Sequence, residues 1–363
     1  MKPPNPPASH QLGFGFDDAA VAEPAMPVVP SVIALKAPAA AIAAITEPII
    51  AKLAIETPTE AELPVDAEAM AKVLDAHPDF RVLRRLAPRL MFPPATGPVA
   101  TLLVLDTETT GLNPARDKVV ELALLRVTVD LRTGQPVGAV LVYDGLEDPG
   151  MPMPDEIIAI TGITDDMLRD QLLDEAEVLR LLEGVDLVLA HNAGFDRPFV
   201  ESRLPQFAAL NWACSFADID WKQEGRGSAK LTSLAYDLGF FYDAHRAEMD
   251  CHALLAVLMA SLKTTQASGL SRLIESALTP TFRLQATNAP FDAKDLLKAR
   301  GYRWDGAQKV WHTRLGDASA LALECEWLKS AVYAGRSSRV QVEELDAKTK
   351  YSARPGQVGW REL

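Results

Sequence analysis

Cysteine is scarce in this chain: three among 363 residues, Cys214, Cys251 and Cys325. Their spacing fits no zinc motif, and an odd, sparse set argues against a disulfide framework, so a reducing, cytoplasmic setting is expected. Long apolar runs are missing as well. The Ala-rich stretch over 31–54 is broken by Lys36, Pro38, Glu47, Pro48 and Lys52, short of the roughly 18 uninterrupted apolar residues of a membrane span. Early prolines and the lack of a clean apolar segment also speak against a signal peptide, and no membrane partner is expected. Positive charge is in deficit, with 36 Lys and Arg against 49 Asp and Glu and a formal net charge of -13. That balance disfavours broad adhesion to nucleic acid, which the chain would have to meet at a local site.

With 48% hydrophobic residues, the chain is long enough to build two cores. Residues 1–62 are rich in Pro and Ala without periodicity, the composition of a disordered tail. A short helical preface covers 63–97 and carries an arginine cluster, Arg81, Arg84, Arg85 and Arg89. From 98 to 264 the texture is that of an α/β domain. Strands are expected over 101–106, 118–129 and 138–143, the last two joined by the turn "RTGQP". Helices then alternate with short strands: a helix near 165–183, a strand at 186–190, a helix near 194–203, a strand around 212–219 and two further helices. After a linker at 265–280, residues 281–345 read as a small α+β module, with a hairpin "YRWDGAQKVWHTRL" at its centre. Residues 346–363 read as a loose C-terminal tail. Over 281–340, ten Lys and Arg face six Asp and Glu, a sign opposite to that of the whole chain.

The segment "LVLDTETTGLNP" at 103–114 ends an apolar strand on two carboxylates, Asp106 and Glu108. Strand side chains alternate, so residues two apart point to the same side. Paired ionised carboxylates repel, and a cation or a shared proton between them relieves the repulsion. "LVLAHNAGFDRPF" repeats the device with Asp196 in the first turn of a helix. "FFYDAHRAEMDCHALLAVLM" then places Asp250 on a helix whose apolar side is Ala253, Leu254, Val257 and Leu258. His245, five residues earlier, would lie about 140° away on a continuous helix, so a loop or first-turn position leaning into the same cleft is expected. Four carboxylates and a histidine match the needs of two-metal phosphodiester hydrolysis, with hard oxygen ligands for two Mg²⁺ or Mn²⁺ ions and an imidazole to take a proton from water.

The ordered motifs "DTETTG", "HNAGFD" and "HRAEMD" resemble those of the DEDD superfamily of 3'-5' exonucleases. Within it they are similar to the histidine-containing DEDDh branch and to the proofreading epsilon subunits of bacterial DNA polymerase III. The resemblance covers roughly 99–264, and "IIAITGITDDML" and "KLTSLAYDLGF" fit it as intermediate landmarks. Thr161 stands where many relatives carry histidine. The resemblance implies an RNase H-like mixed-sheet fold that releases nucleoside monophosphates from a single-stranded 3' end, with DNA favoured over RNA and a role in replication proofreading or repair. It implies that Asp106 bridges both metals, that Glu108 and Asp250 complete the first, that Asp196 holds the second through water, and that His245 is the general base. Thr107, Thr109, Leu112, Asn192 and Phe195 are implied substrate contacts. An RNA-trimming exonuclease is the alternative within the class, and a non-catalytic nucleic-acid-binding scaffold the alternative outside it.

His191 and His252 are expected not to ligate metal, and Cys214 and Cys251 to be small buried residues rather than nucleophiles. Trp304 and Trp311 flank the hairpin turn; they can form a cross-strand core or, with Lys294, Lys298, Arg300, Arg303, Lys309 and Arg314 around them, a surface for single strands. At 10–16, "HQLGFGF" resembles the bacterial sliding-clamp peptide through Gln11, Leu12, Phe14 and Phe16, which makes the clamp a candidate partner.

Overall fold

The computed structural model describes residues 66–363. The tail expected over 1–62 and the clamp-like peptide at Gln11, Leu12, Phe14 and Phe16 lie outside the described residues.

Five strands form the first sheet: β2 (Val99–Thr109), β3 (Val119–Asp130), β4 (Gln135–Leu146), β5 (Leu187–Ala190) and β6 (Trp212–Cys214), after a two-residue β1 (Arg84–Arg85). Their spatial order is β4-β3-β2-β5-β6. β2, β3 and β4 pair antiparallel, whereas β5 and β6 run parallel to β2, so the sheet is mixed. The continuous apolar run Leu102–Leu105 explains why β2 takes the centre, since a strand covered on both faces has no polar side to spare. Leu102 and Val104 enter one core with helix α8 (Ala247–Met259). Leu103 and Leu105 enter another with α4 (Glu175–Leu182) and α5 (Ala193–Arg203). Helix α8 is apolar nearly all round because the sheet, α7 (Leu231–Asp237) and α9 (Gly269–Leu278) enclose it.

Four local expectations change. The linker expected over 265–280 is instead helix α9, whose Leu270, Leu273 and Ala277 are buried against α8, an amphipathic face too short to stand out in composition. The helix expected over 165–183 is two pieces, α3 (Asp165–Leu168) and α4, because Asp170 turns left-handed at φ 60° and Asp174 restarts the helix by accepting the Glu177 N–H at 3.0 Å. The strand expected over 212–219 stops at Cys214, where Asp218 accepts the Cys214 N–H and a helical turn, α6 (Ser215–Asp218), begins. The C-terminal residues are not loose. β12 (Gln357–Glu362) pairs antiparallel with β11 (Arg339–Leu345), extending the second sheet of β8 (Thr281–Ala286), β9 (Arg303–Asp305) and β10 (Val310–Leu315). Composition alone gave no sign of this, because most β12 side chains are polar or exposed and the strand is held by its backbone ladder.

Between those strands, residues 346–354 strap the small module to the first sheet. Ala347 O accepts the Trp212 N–H at 2.8 Å on edge strand β6, and Lys350 Nζ donates to the carbonyls of Ser276 and Thr279 at 2.7 and 2.6 Å. An edge strand thereby gains cover. The preface arginines are also engaged: Arg84 pairs with Glu68 and Asp75, Arg85 with Asp243, and Arg81 donates to the Tyr236 carbonyl. Helix α1 (Ala67–Asp75) and β1, which pairs with β7 (Phe240–Phe241), are held by these contacts. Among the described residues no helix is long and apolar enough to cross a membrane.

Candidate active site

Strand alternation sends Asp106 and Glu108 to the α8 side of β2, and Asp250 in the first turn of α8 comes to meet them. Ligand oxygens of Asp106, Glu108 and Asp250 all lie within 4.8 Å of one another. The approach is fixed by packing: α8 rests on the sheet with Cys251 Sγ 3.6 Å from the Ala123 carbonyl, and Ala123 is the cross-strand partner of Asp106. A register shift between Glu108 and Thr109 ends the regular pairing just past the carboxylates.

Asp196 arrives from the other side of the sheet. It opens helix α5 after Asn192, which turns left-handed at φ 70°. With 2% of its surface exposed, Asp196 accepts from Thr107 twice through one oxygen, from the hydroxyl at 2.8 Å and from the backbone N–H at 3.2 Å. Its carboxylate stands outside the three-oxygen cluster but close enough to raise the Asp106 pKa. His245 is exposed, with a left-handed φ of 66°, in the loop before α8. Its backbone N–H donates to Asp250 Oδ2 at 2.8 Å, and Tyr242 OH donates to Asp250 Oδ1 at 2.9 Å.

The electrostatics are those of crowded, desolvated anions. Burial, then Asp196, Asp250 and Glu108, hold the Asp106 pKa well above the usual carboxylate range. Burial, then Asp250 and Glu121, push Glu108 to about 8. Burial raises Asp196 to about 7 against the opposing Thr107 hydrogen bonds. Burial raises Asp250 too, opposed first by Tyr242. Arg246, paired with Glu121, opposes the rise at Glu108 without cancelling it. The donor set is all hard oxygen, and its excess charge calls for a cation. Mg²⁺ or Mn²⁺ fits it better than a soft metal.

Glu121, Arg246 and Tyr242 were not picked out from the sequence. Glu121 lies directly across from Glu108 in the β2–β3 ladder and is fully buried. It accepts from Arg246 at 2.8 and 3.0 Å and from the Ala247 N–H at 3.0 Å, so it caps the start of α8 and fixes the chain between His245 and Asp250. A lone carboxylate inside the apolar run "VVELALL" was the available signal. Of the expected substrate contacts, Leu112 is 53% exposed beyond the carboxylates. Thr107 and Thr109 are buried; Thr107 holds Asp196, and the Thr109 hydroxyl donates to the Gly111 carbonyl at 2.6 Å. Phe195 is half-buried against Phe199. His191 bonds Ser215 Oγ at 2.7 Å and is held neutral by burial, its pKa lowered to about 4, and His252 faces Glu248.

The exonuclease family model matches residues 103–258, the segment that contains all five residues. Residues 103–258 are an exonuclease domain. The chain is 31% identical over 180 residues to the PolC-type DNA polymerase III of Bacillus subtilis, and 31% over 186 residues to that of Thermotoga maritima. These alignments cover 47% and 48% of this chain but only 12% and 13% of the polymerases. Solved structures similar to it include exonuclease X in complex with 5' overhanging duplex DNA, at 26% identity over 47% of this chain and 99% of that one, with a TM-score of 0.35. The zinc-bound Escherichia coli ExoI–ssDNA complex follows at 20% identity, over 51% of this chain and 48% of that one, with a TM-score of 0.38. The exonuclease domain thus occupies the first sheet and its helices, and the second sheet lies outside the matched segment.

Proposed function

We propose that this protein is a DEDDh-type, metal-dependent exonuclease that removes nucleoside monophosphates from the 3' end of DNA. The observation that carries the reading is the convergence of Asp106, Glu108 and Asp250 within 4.8 Å, with Asp196 beside them and His245 at the rim, while Arg246, whose charge reaches Glu108, is already paired with Glu121. Burying four carboxylates together costs several kcal/mol unless positive charge joins them, and a protein that only binds a phosphate backbone has no use for such repulsion. The DNA preference is supported by the relatives, which are DNA polymerases by name.

In this reading Asp106, Glu108 and Asp250 would hold a divalent ion, and Asp106 together with Asp196 would hold a second. When bound, the ions supply charge neutralisation at the phosphate and a more acidic attacking water. The chain's own residues do the positioning. Asp250 is oriented by Tyr242 and by the His245 N–H, so the loop that carries the imidazole is tied to a metal-holding carboxylate. His245, exposed beside the cleft, accepts the proton of the attacking water. Thr107 keeps one Asp196 oxygen occupied and leaves the other for solvent or metal. Leu112, exposed on the turn after β2, lies against the terminal nucleotide.

The test is mononucleotide release from matched 3'-labelled single-stranded DNA and RNA oligomers with Mg²⁺, Mn²⁺ or chelator, for the wild type and Asp106→Ala. Metal-dependent stepwise loss from the 3' end of DNA, abolished by the substitution, is expected. Preferential loss from RNA would reassign the substrate, and binding without release under either metal would leave a nucleic-acid-binding scaffold.

A further inference from the structure

The second sheet carries a feature that the exonuclease site does not use. Trp304 on β9 and Trp311 on β10 are direct cross-strand partners, with ring centroids 5.5 Å apart at 59°. Trp311 is half-buried against the module's core, whereas Trp304 is 51% exposed, and Phe291, which opens the 3-10 turn Phe291–Ala293 after β8, is 78% exposed. These rings line one concavity of about 510 Å³ together with Lys294 and Lys309, a volume typical of ligand sites. Lys294 Nζ stands 4.6 Å from the centre of the Phe291 ring. A purely structural tryptophan pair would be covered, whereas here half of the Trp304 surface and most of the Phe291 surface remain exposed.

Charge is as selective as shape. In a chain of net charge -13, no carboxylate lines this concavity, and neither Lys294 nor Lys309 forms an ion pair among the described residues. The neighbouring arginines are otherwise disposed. Arg300 pairs with Glu324 and stacks on Trp327. Arg303 and Arg314 alternate with Trp304 and with Trp311 and Thr313, so the pleat sends them to the opposite face of the sheet. Two unpaired lysines beside exposed aromatic rings meet the two repeating features of a single strand, phosphates and flat bases.

We propose that this concavity is an accessory site for single-stranded DNA, with bases stacked on Trp304 and Phe291 and phosphates against Lys294 and Lys309. The choice of DNA rests on the function proposed above. The site itself is separate from the carboxylates, belonging to a different sheet with its own core, so it holds the strand at a distance from the end being cut.

The experiment is equilibrium binding of a fluorescent oligothymidylate of roughly 12 nucleotides to the full chain in chelator, where nothing is hydrolysed, across a salt series. Trp304→Ala and, separately, Phe291→Ala should each weaken binding by roughly fivefold to a hundredfold. The double variant Lys294→Ala/Lys309→Ala should flatten the slope of log affinity against log salt by about 1.4. With metal restored, hydrolysis of the p-nitrophenyl ester of thymidine 5'-monophosphate, too small to reach both sites, should match wild type in all three variants. Wild-type affinity and salt slope in every variant would overturn the proposal, as would no binding of the oligomer by the wild type. If the wild type hydrolyses neither substrate while Trp304→Ala still weakens binding, the catalytic reading fails and this site stands.

Discussion

Raising the pH of the metal-free protein from 6.5 to 8 should destabilise it, and Glu108 is the residue through which the effect can be measured. Its pKa in the fold is raised from 4.5 to about 8, by burial first and then by Asp250 and Glu121. A carboxyl whose folded pKa lies above its unfolded value binds more protons in the fold. Its stabilising contribution is complete below the unfolded value and is lost as pH climbs through the folded one. Between pH 6.5 and 8 the loss assigned to Glu108 alone is on the order of 1 to 2 kcal/mol, or roughly 1 to 3 °C in melting temperature for a chain of this size. Other groups also titrate, including Asp196, raised to about 7, and His191, lowered to about 4 with the opposite sign. The quantity to read is therefore the difference between wild type and Glu108→Gln, in which the His191 contribution cancels and the carboxylates that Glu108 repels are read together with it. Calorimetry in chelator should show the wild type falling more steeply than Glu108→Gln over this window. Saturating Mg²⁺ should stabilise the wild type more at pH 8 than at pH 6.5, because metal competes with protons for the same oxygens. Parallel pH profiles for the two proteins, or Mg²⁺ stabilisation independent of pH, would refute the account of a desolvated, cation-seeking cluster.

Other outcomes follow from the same geometry. Thr107→Val removes the hydroxyl that orients Asp196 while keeping the strand, and should lower metal-dependent nuclease turnover by about 10- to 100-fold with little change in melting temperature. Arg197 is fully buried, paired with Glu201 at 2.7 Å and bonded to the carbonyls of Ala347, Lys348 and Lys350. Arg197→Ala should cost about 3 to 5 kcal/mol in denaturant unfolding and free the 346–354 strap to proteolysis. Glu121→Ala uncaps α8 and strands Arg246, and should destabilise by about 2 to 4 kcal/mol by the same measurement while raising the metal concentration needed for activity. Gly134 has φ +64° in the β3–β4 turn, and a Cβ there would stand 2.0 Å from Ser271 Oγ; Gly134→Ala should cost about 1 to 3 kcal/mol in thermal melts.

Much of this was readable along the chain because its information is local. The alternation that aims Asp106 and Glu108 together is a property of any strand, and the apolar run before them marks that strand as central. The first turn of a helix after "HNAGF" and the apolar pattern around Asp250 placed the remaining carboxylates on their elements in the same way. What periodicity could not reach was whatever depends on contact between distant segments. Glu121 reads as an isolated charge in a strand until the fold sets it opposite Glu108 and beneath Arg246, 125 residues further on. Residues 346–363 read as loose because their hold on the molecule is made of backbone hydrogen bonds and carbonyls offered to Arg197 and Trp212, which leave no mark in side-chain hydrophobicity. The basic residues around the hairpin were equally visible in sequence, yet only the pleat and the ion pair of Arg300 decided that Lys294 and Lys309 share a concavity with the tryptophans while Arg303 and Arg314 do not. Motif order and periodicity were enough to place the candidate carboxylates and the histidine on their elements. Tertiary structure decided which carboxylates meet, what pins them, and which cations remain unpaired, because burial and pairing are properties of segments brought together by the core.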